Sequence, residues 1–184
     1  KIFIQMHKII LFRGGMCGDI ILSMIDKSYT RSLYPLENIK QRYAMKKFYN
    51  YTEKEKLEYY ESFNQNKTEY TISHDTDFCL KPEIRKNVIQ IYCSDEKIVP
   101  FFSKRFWIKN DFDEVSHVIK DLDSTDKNKI KDYADDMISW QNFYKFPNTF
   151  DVKNVYTPNF VDELKLHFEI RDLDWAKTIH AEWL

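Results

Sequence analysis

The stretch HKIILFRGGMCGDIILSMIDK, residues 7–27, holds all three glycines of a 184-residue chain, Gly14, Gly15 and Gly18, within five positions. Before them HKIILF is a short apolar run that ends at Arg13 and reads as a buried strand. After them Ile20, Ile21, Met24 and Ile25 recur at helical spacing. Strand, glycine loop and helix in this order can surround an oxyanion with backbone amides and the positive end of a helix, because glycine permits unusual φ values and close approach. The same glycines equally suit a strand-to-helix turn that needs only their conformation. The ATPase loop G-x-x-x-x-G-K-[ST] is not met: aligned on Gly18, its first glycine falls on Arg13, its lysine on Asp19 and its hydroxyl residue on Ile20. Without that lysine for phosphate and that hydroxyl for magnesium, ATP hydrolysis is not expected. Asp19 reads as a helix cap and Arg13 as the nearby cation.

The rest of the chain alternates in the same way. From Leu36 to Asn66 it is charged and helical, with two helices broken near Asn50 and a capping box in TEKE, Thr52 to Glu55. EYTISHD and NVIQIYCSD are β-prone runs that end in polar turns. IVPFFSKRFWIKN, DFDEVSHVIKDL and STDKNKIKDYADDMISWQNFY are helical in period, the last with Ser124 as a cap. TFDVKNVY is a further strand, and the chain closes with two helices. Strands separated by helical connections predict a parallel sheet covered on both faces, in one α/β/α domain over 1–184 with a helical insertion after the first helix. KIFIQM either extends the first strand or precedes a true start at Met6, and carries no functional weight.

Composition narrows the functions. A balance of 28 Lys+Arg against 29 Asp+Glu leaves no overall pull toward nucleic acid or an anionic membrane. Hydrophobic residues at 43% supply enough apolar surface for a folded core. Cys17, Cys79 and Cys93 are odd in number and form no CxxC pair, and no signal-like segment or membrane-length apolar run is present. A soluble cytoplasmic protein with reduced thiols and no zinc site is the expectation.

With the three strands in view, the pattern resembles the sulfotransferase branch of the P-loop fold, especially the small divergent sulfotransferase-like proteins of marine phages. That resemblance implies a three-layer P-loop-like domain, working in the cytoplasm of a phage-infected bacterial host. It implies transfer of a sulfuryl group from 3′-phosphoadenosine 5′-phosphosulfate to the hydroxyl of a small molecule or glycan. YTISHDTDF is similar to the second strand with its polar turn near the acceptor, and VIQIYCSDEKIVPFFSKRFW to the strand and helix at the 3′ phosphate. FDVKNVYTPNFVDELKLHF is similar to the late strand and helix. Carried over by position, the loop Gly14, Gly15, Met16, Cys17, Gly18 and Asp19 with Arg13 holds the transferring group, and Ser94, Ser103 and Arg105 lie near the 3′ phosphate. The chain departs from the family where Met16 replaces the loop lysine, where Cys17, Asp19 and Ile20 replace its hydroxyl residues, and where Cys93 replaces the arginine that ends the third strand. These losses keep a non-catalytic binding or interaction protein in view. KIILFRGGMCGDIILS also resembles the opening of heptosyltransferase-type glycosyltransferases, in which the aspartate takes part in chemistry, but those enzymes need two such domains.

His74, at a strand end in SHDTD, is the candidate general base, because an unperturbed imidazole titrates near neutral pH. Its bland alternative is a turn in which Asp75 and Asp77 satisfy backbone amides. Metal binding by His74, Asp75 and Asp77 is disfavoured, because neighbouring side chains at a strand end point apart. The aromatics of FFSKRFWIK read as core, with Lys104 and Arg105 reaching solvent. Cys17 reads as a small buried residue rather than a nucleophile. Trp175, Ile179 and Trp183 share a helical face that closes the core.

Overall fold

The computed structural model describes residues 8–27, 52–61, 70–103 and 127–184. Four strands, β1 (Lys8–Leu11), β2 (Tyr70–Ser73), β3 (Val88–Tyr92) and β4 (Asn148–Asp151), pair in the order β2-β1-β3-β4. Every pairing is parallel. The helices are α1 (Gly18–Ile25), α2 (Glu53–Glu61), α3 (Thr76–Cys79), α4 (Pro82–Arg85), α5 (Lys127–Phe143), α6 (Phe160–His167) and α7 (Leu173–Trp183); residues 99–103 are also helical. The chain has the α/β architecture that its alternation of strands and helices predicts.

β1 past Lys8 is apolar on both faces and β3 nearly so, its buried Gln90 excepted, as suits parallel strands covered by helices. Alternation sends Ile10 of β1 and Ile89 and Ile91 of β3 into one cluster with α1, α6 and α7. It sends Ile9, Leu11 and Val88 into a second cluster with Phe78 and Cys79 of α3 and Ile84 of α4. α1 is apolar nearly all round because it lies between the sheet and α7; all its residues but Asp19 are buried. The Trp175 indole N–H, 2.8 Å from the Ser23 carbonyl, ties α7 to it. Ile179 and Trp183 are buried and Trp175 is half-buried, so that face does close the core.

Local signals are kept where backbone groups at helix ends need partners. Thr52 and Glu55 form the full capping box: the Thr52 amide and hydroxyl donate to Glu55 at 2.7 and 2.8 Å, and the Glu55 amide donates back at 3.3 Å. Asp172 caps α7 by accepting from the Trp175 amide, and its hydrogen bond from Lys27 and then that amide hold its carboxyl below the usual range.

Some expectations change. The N-cap of α1 is Cys17 rather than Asp19, which sits inside the first turn. Phe102 is fully buried, but Phe101 on the same helical stretch is exposed. Residues 1–7, the break near Asn50, Lys104, Arg105, Phe106, Trp107 and Ser124 lie outside the described residues.

α5 is the element that sequence periodicity places least well. Ala134 and Met137 pack in the first cluster and Trp140 in the second, so the helix passes across the end of the sheet from one face to the other. Its side chains reach Gly14 after β1, Thr76 after β2 and Cys93 after β3, which identifies that end as the carboxyl edge.

Candidate functional site

Parallel strands bring all their carboxyl ends to one edge, and the order β2-β1-β3-β4 makes β1/β3 the point where the connections turn in opposite directions. Ligands of open α/β sheets bind at such a point. The loop after β1, the turn after β2 and the turn after β3, carrying Arg13, His74 and Ser94 in that order, all lie along this edge.

The glycine loop opens with a tight turn. The Met16 amide donates to the Arg13 carbonyl at 3.0 Å, and Gly15, third in the turn, has φ 87°. A positive φ at that place is the type II signature, which favours glycine. Gly18 is needed for another reason. A Cβ there would come within 2.1 Å of the Phe12 ring, so the start of α1 lies directly on the last side chain of the β1 extension. Between them Cys17 takes a left-handed φ of 65° without being glycine, a conformation that costs about 1–2 kcal/mol. Met16 and Cys17 point their side chains into the core. What the loop can offer a ligand is backbone, together with the Arg13 side chain.

His74 stands beside this loop. Its Nδ1 lies 2.7 Å from the Phe12 carbonyl, and its ring meets the Phe12 ring edge-on at 4.2 Å. A carbonyl oxygen only accepts, so Nδ1 carries the proton and the basic nitrogen of the neutral ring is Nε2. Asp75 has a structural task, capping α3 by accepting from the Phe78 amide at 3.0 Å. Asp77 is exposed in the first turn of α3. Among the described residues no three His, Cys, Asp or Glu side chains converge as metal ligands would.

α5 brings two residues that periodicity and motif do not reveal. The Tyr133 hydroxyl donates to the Gly14 carbonyl at 3.1 Å. Asp136 receives Nε and Nη2 of Arg13 at 2.8 and 2.7 Å, with the two side chains 44% and 46% exposed. An ion pair this open to water contributes at most about 1 kcal/mol to stability. In the sequence Asp136 is one of three carboxylates close together on this helix, with Asp132 and Asp135, and nothing local singles it out.

The end of β3 is built differently. The buried Gln141 carboxamide takes both backbone groups of Cys93, accepting from its amide and donating to its carbonyl at 2.9 Å each, as a neighbouring strand would. Gln90 likewise donates to the Tyr144 carbonyl at 2.7 Å and accepts from the Phe146 amide at 3.3 Å. Burial pushes the Cys93 thiol up to about 12, so it stays protonated at neutral pH. The Ser94 amide and hydroxyl both donate to the Asp151 carboxylate at the end of β4. Ser103 is fully buried and donates to the Ile130 carbonyl at 2.8 Å. An open cavity of about 320 Å³ lies over this floor, with Tyr92, Ser94, Glu96 and Lys145 in its wall.

The structure thus gathers Arg13, Gly14, Gly15, Gly18 and His74, sends Met16, Cys17 and Ser103 inward, and ties Ser94 to Asp151. No family model, curated protein or solved structure matches the chain significantly. None of the described helices is long and apolar enough to cross a membrane.

Proposed function

We propose that the carboxyl edge at β1 and β2 is a group-transfer site of sulfotransferase-like type. The loop 13–18 takes an oxyanion of the donor, and His74 removes the proton of an acceptor hydroxyl on a small molecule or glycan. The observation that carries this reading is the hydrogen bond from His74 Nδ1 to the Phe12 carbonyl, because it assigns the basic lone pair to Nε2 at the very end of the strand that leads into the loop. Arg13 and the amides of Gly14, Gly15 and Gly18 are the donors available to the anion.

The residues fit 3′-phosphoadenosine 5′-phosphosulfate at one end only. The loop and Arg13 would take the 5′ end. At the 3′ end a protonated thiol stands at position 93, the Ser94 hydroxyl is held by the Asp151 carboxylate, and Ser103 is spent inside the fold. The chain's own residues would thus bind an oxyanion at the loop and take up a proton at His74 Nε2.

A second reading, a non-catalytic binding protein on the same scaffold, draws on two facts. Asp136 neutralises Arg13, and the Met16 amide is consumed by the turn. The glycosyltransferase alternative retains Asp19, half-buried in the first turn of α1.

A thermal-shift titration with adenosine 3′,5′-bisphosphate, sulfate, ATP and a nucleotide-sugar separates these readings, since a ligand that binds only the folded state raises its stability. Stabilisation by sulfate or the bisphosphate that disappears in Arg13→Ala supports the loop site. A response to the nucleotide-sugar alone moves the protein to the glycosyltransferase reading, and silence from all four ligands moves it to the non-catalytic one. The base is tested by His74→Asn, which keeps a side-chain N–H toward Phe12 but has no basic nitrogen. Sulfuryl transfer should fall by about 10²–10⁴-fold, with the melting temperature lowered only by the lost ring contact to Phe12. Undiminished transfer would remove His74 from the mechanism.

A further inference from the structure

The contact between Arg13 and Asp136 leads beyond the loop itself, although its meaning rests on the reading of that loop as an oxyanion site. Nε and Nη2 of Arg13 converge on a single carboxylate oxygen, Oδ2 of Asp136, at 2.8 and 2.7 Å. The same edge of the planar fork, Nε and Nη2, is the one that can give two parallel N–H groups to two oxygens of a phosphate or sulfate. The carboxylate reaches the fork from α5, 123 positions along the chain. The helix that delivers it is docked on the loop through the hydrogen bond of Tyr133 to Gly14, one turn earlier.

We propose that Asp136 is an internal counter-anion, a carboxylate that fills the Arg13 fork until the phosphate or sulfate group of a ligand takes its place. Exchange on these terms replaces one anion by another and leaves the arginine paired throughout. The displaced carboxylate is 46% exposed and returns to water at little cost; open pairs of this kind shift an equilibrium by about fivefold at most. Tethering gives Asp136 a high effective concentration, so a free monocarboxylate does not displace it. A doubly charged oxyanion that also draws on the loop amides does. Asp136 thereby biases the loop, by about fivefold at most, toward phosphate and sulfate groups over simple carboxylic acids.

The test is calorimetric titration of sulfate, acetate and adenosine 3′,5′-bisphosphate into the unaltered protein and into Asp136→Asn, Asp135→Asn and Arg13→Ala. Asp135 is exposed on the same helix and controls for the loss of one negative charge. Asp136→Asn should bind sulfate and the bisphosphate about two- to fivefold more tightly and should acquire weak acetate binding, while Asp135→Asn matches the unaltered protein. In the unaltered protein the Nε–H resonance of Arg13 should move on addition of sulfate and stay in place with acetate, a readout that needs no variant. Equal affinity in Asp136→Asn and the unaltered protein, or an equal gain in Asp135→Asn, overturns the counter-anion role and leaves the loop site standing. Absence of binding in every form, Asp136→Asn included, overturns the loop site itself.

Discussion

The ends of β1 and β3 are neighbours on one edge of one sheet, yet they dispose of their polar groups in opposite ways. At β3 the Cys93 amide and carbonyl are closed by a buried glutamine, and the next residue is fastened to Asp151. Polar atoms there complete the sheet. At β1 the cation is half in water and faces a half-exposed carboxylate, and the adjoining histidine, held to Phe12, is exposed. Groups that stabilise a fold are buried and saturated, because an unsatisfied buried polar atom costs about 1–3 kcal/mol. Groups that meet ligands must have partners that can be exchanged. The edge at β1 and β2 meets that second condition, and the Cys93–Gln141 pairing at the end of β3 meets the first.

The comparison is sharpest inside the β1 loop, whose inner side is packed as firmly as the end of β3. Gly18→Ala should produce the largest loss, about 3 kcal/mol in chemical denaturation, because the new methyl overlaps the buried Phe12 ring. A Phe12→Leu, Gly18→Ala double variant should be more stable than the two single losses added together. If Gly18→Ala proves neutral, the glycine is there for the turn alone.

Next comes Gln141→Leu, which orphans two backbone groups of Cys93 and should cost about 2 kcal/mol, moderated by water entering from the adjoining cavity. A loss no larger than that of a surface substitution would show that β3 is not finished in the way described. The smallest effect is expected at the exchangeable pair. Arg13→Ala and Asp136→Asn should each change stability by less than about 1 kcal/mol, with a double-mutant coupling in the same range that fades in high salt. A coupling of several kcal/mol would make the pair a structural tie and erase the contrast between the two strand ends.

Much of this edge is legible in the residues alone. Apolar runs at β1 and β3 require covering on both faces, and that requirement forces helical crossovers and a parallel sheet. Parallel strands place their carboxyl ends together, so Arg13 and His74 become neighbours without any special signal. The capping box at Thr52 is readable because hydrogen bonds between residues three apart are written in local sequence. The N-cap of α1 is not, because Asp19 has the chemistry of a cap but Cys17 has the position. A left-handed cysteine between glycines leaves no mark in composition.

The sequence by itself therefore determined the alternation, the two-sided burial of the central strands and the gathering of loop and histidine at one edge. These follow from periodicity and chain direction, which are local properties. The tertiary structure alone decided that α5 crosses that edge, that Asp136 meets Arg13 and that Gln141 finishes β3. Each of those contacts joins residues separated by at least 48 positions. Pairing across such a span depends on how two packed faces come to rest against each other, and helical period carries no information about it.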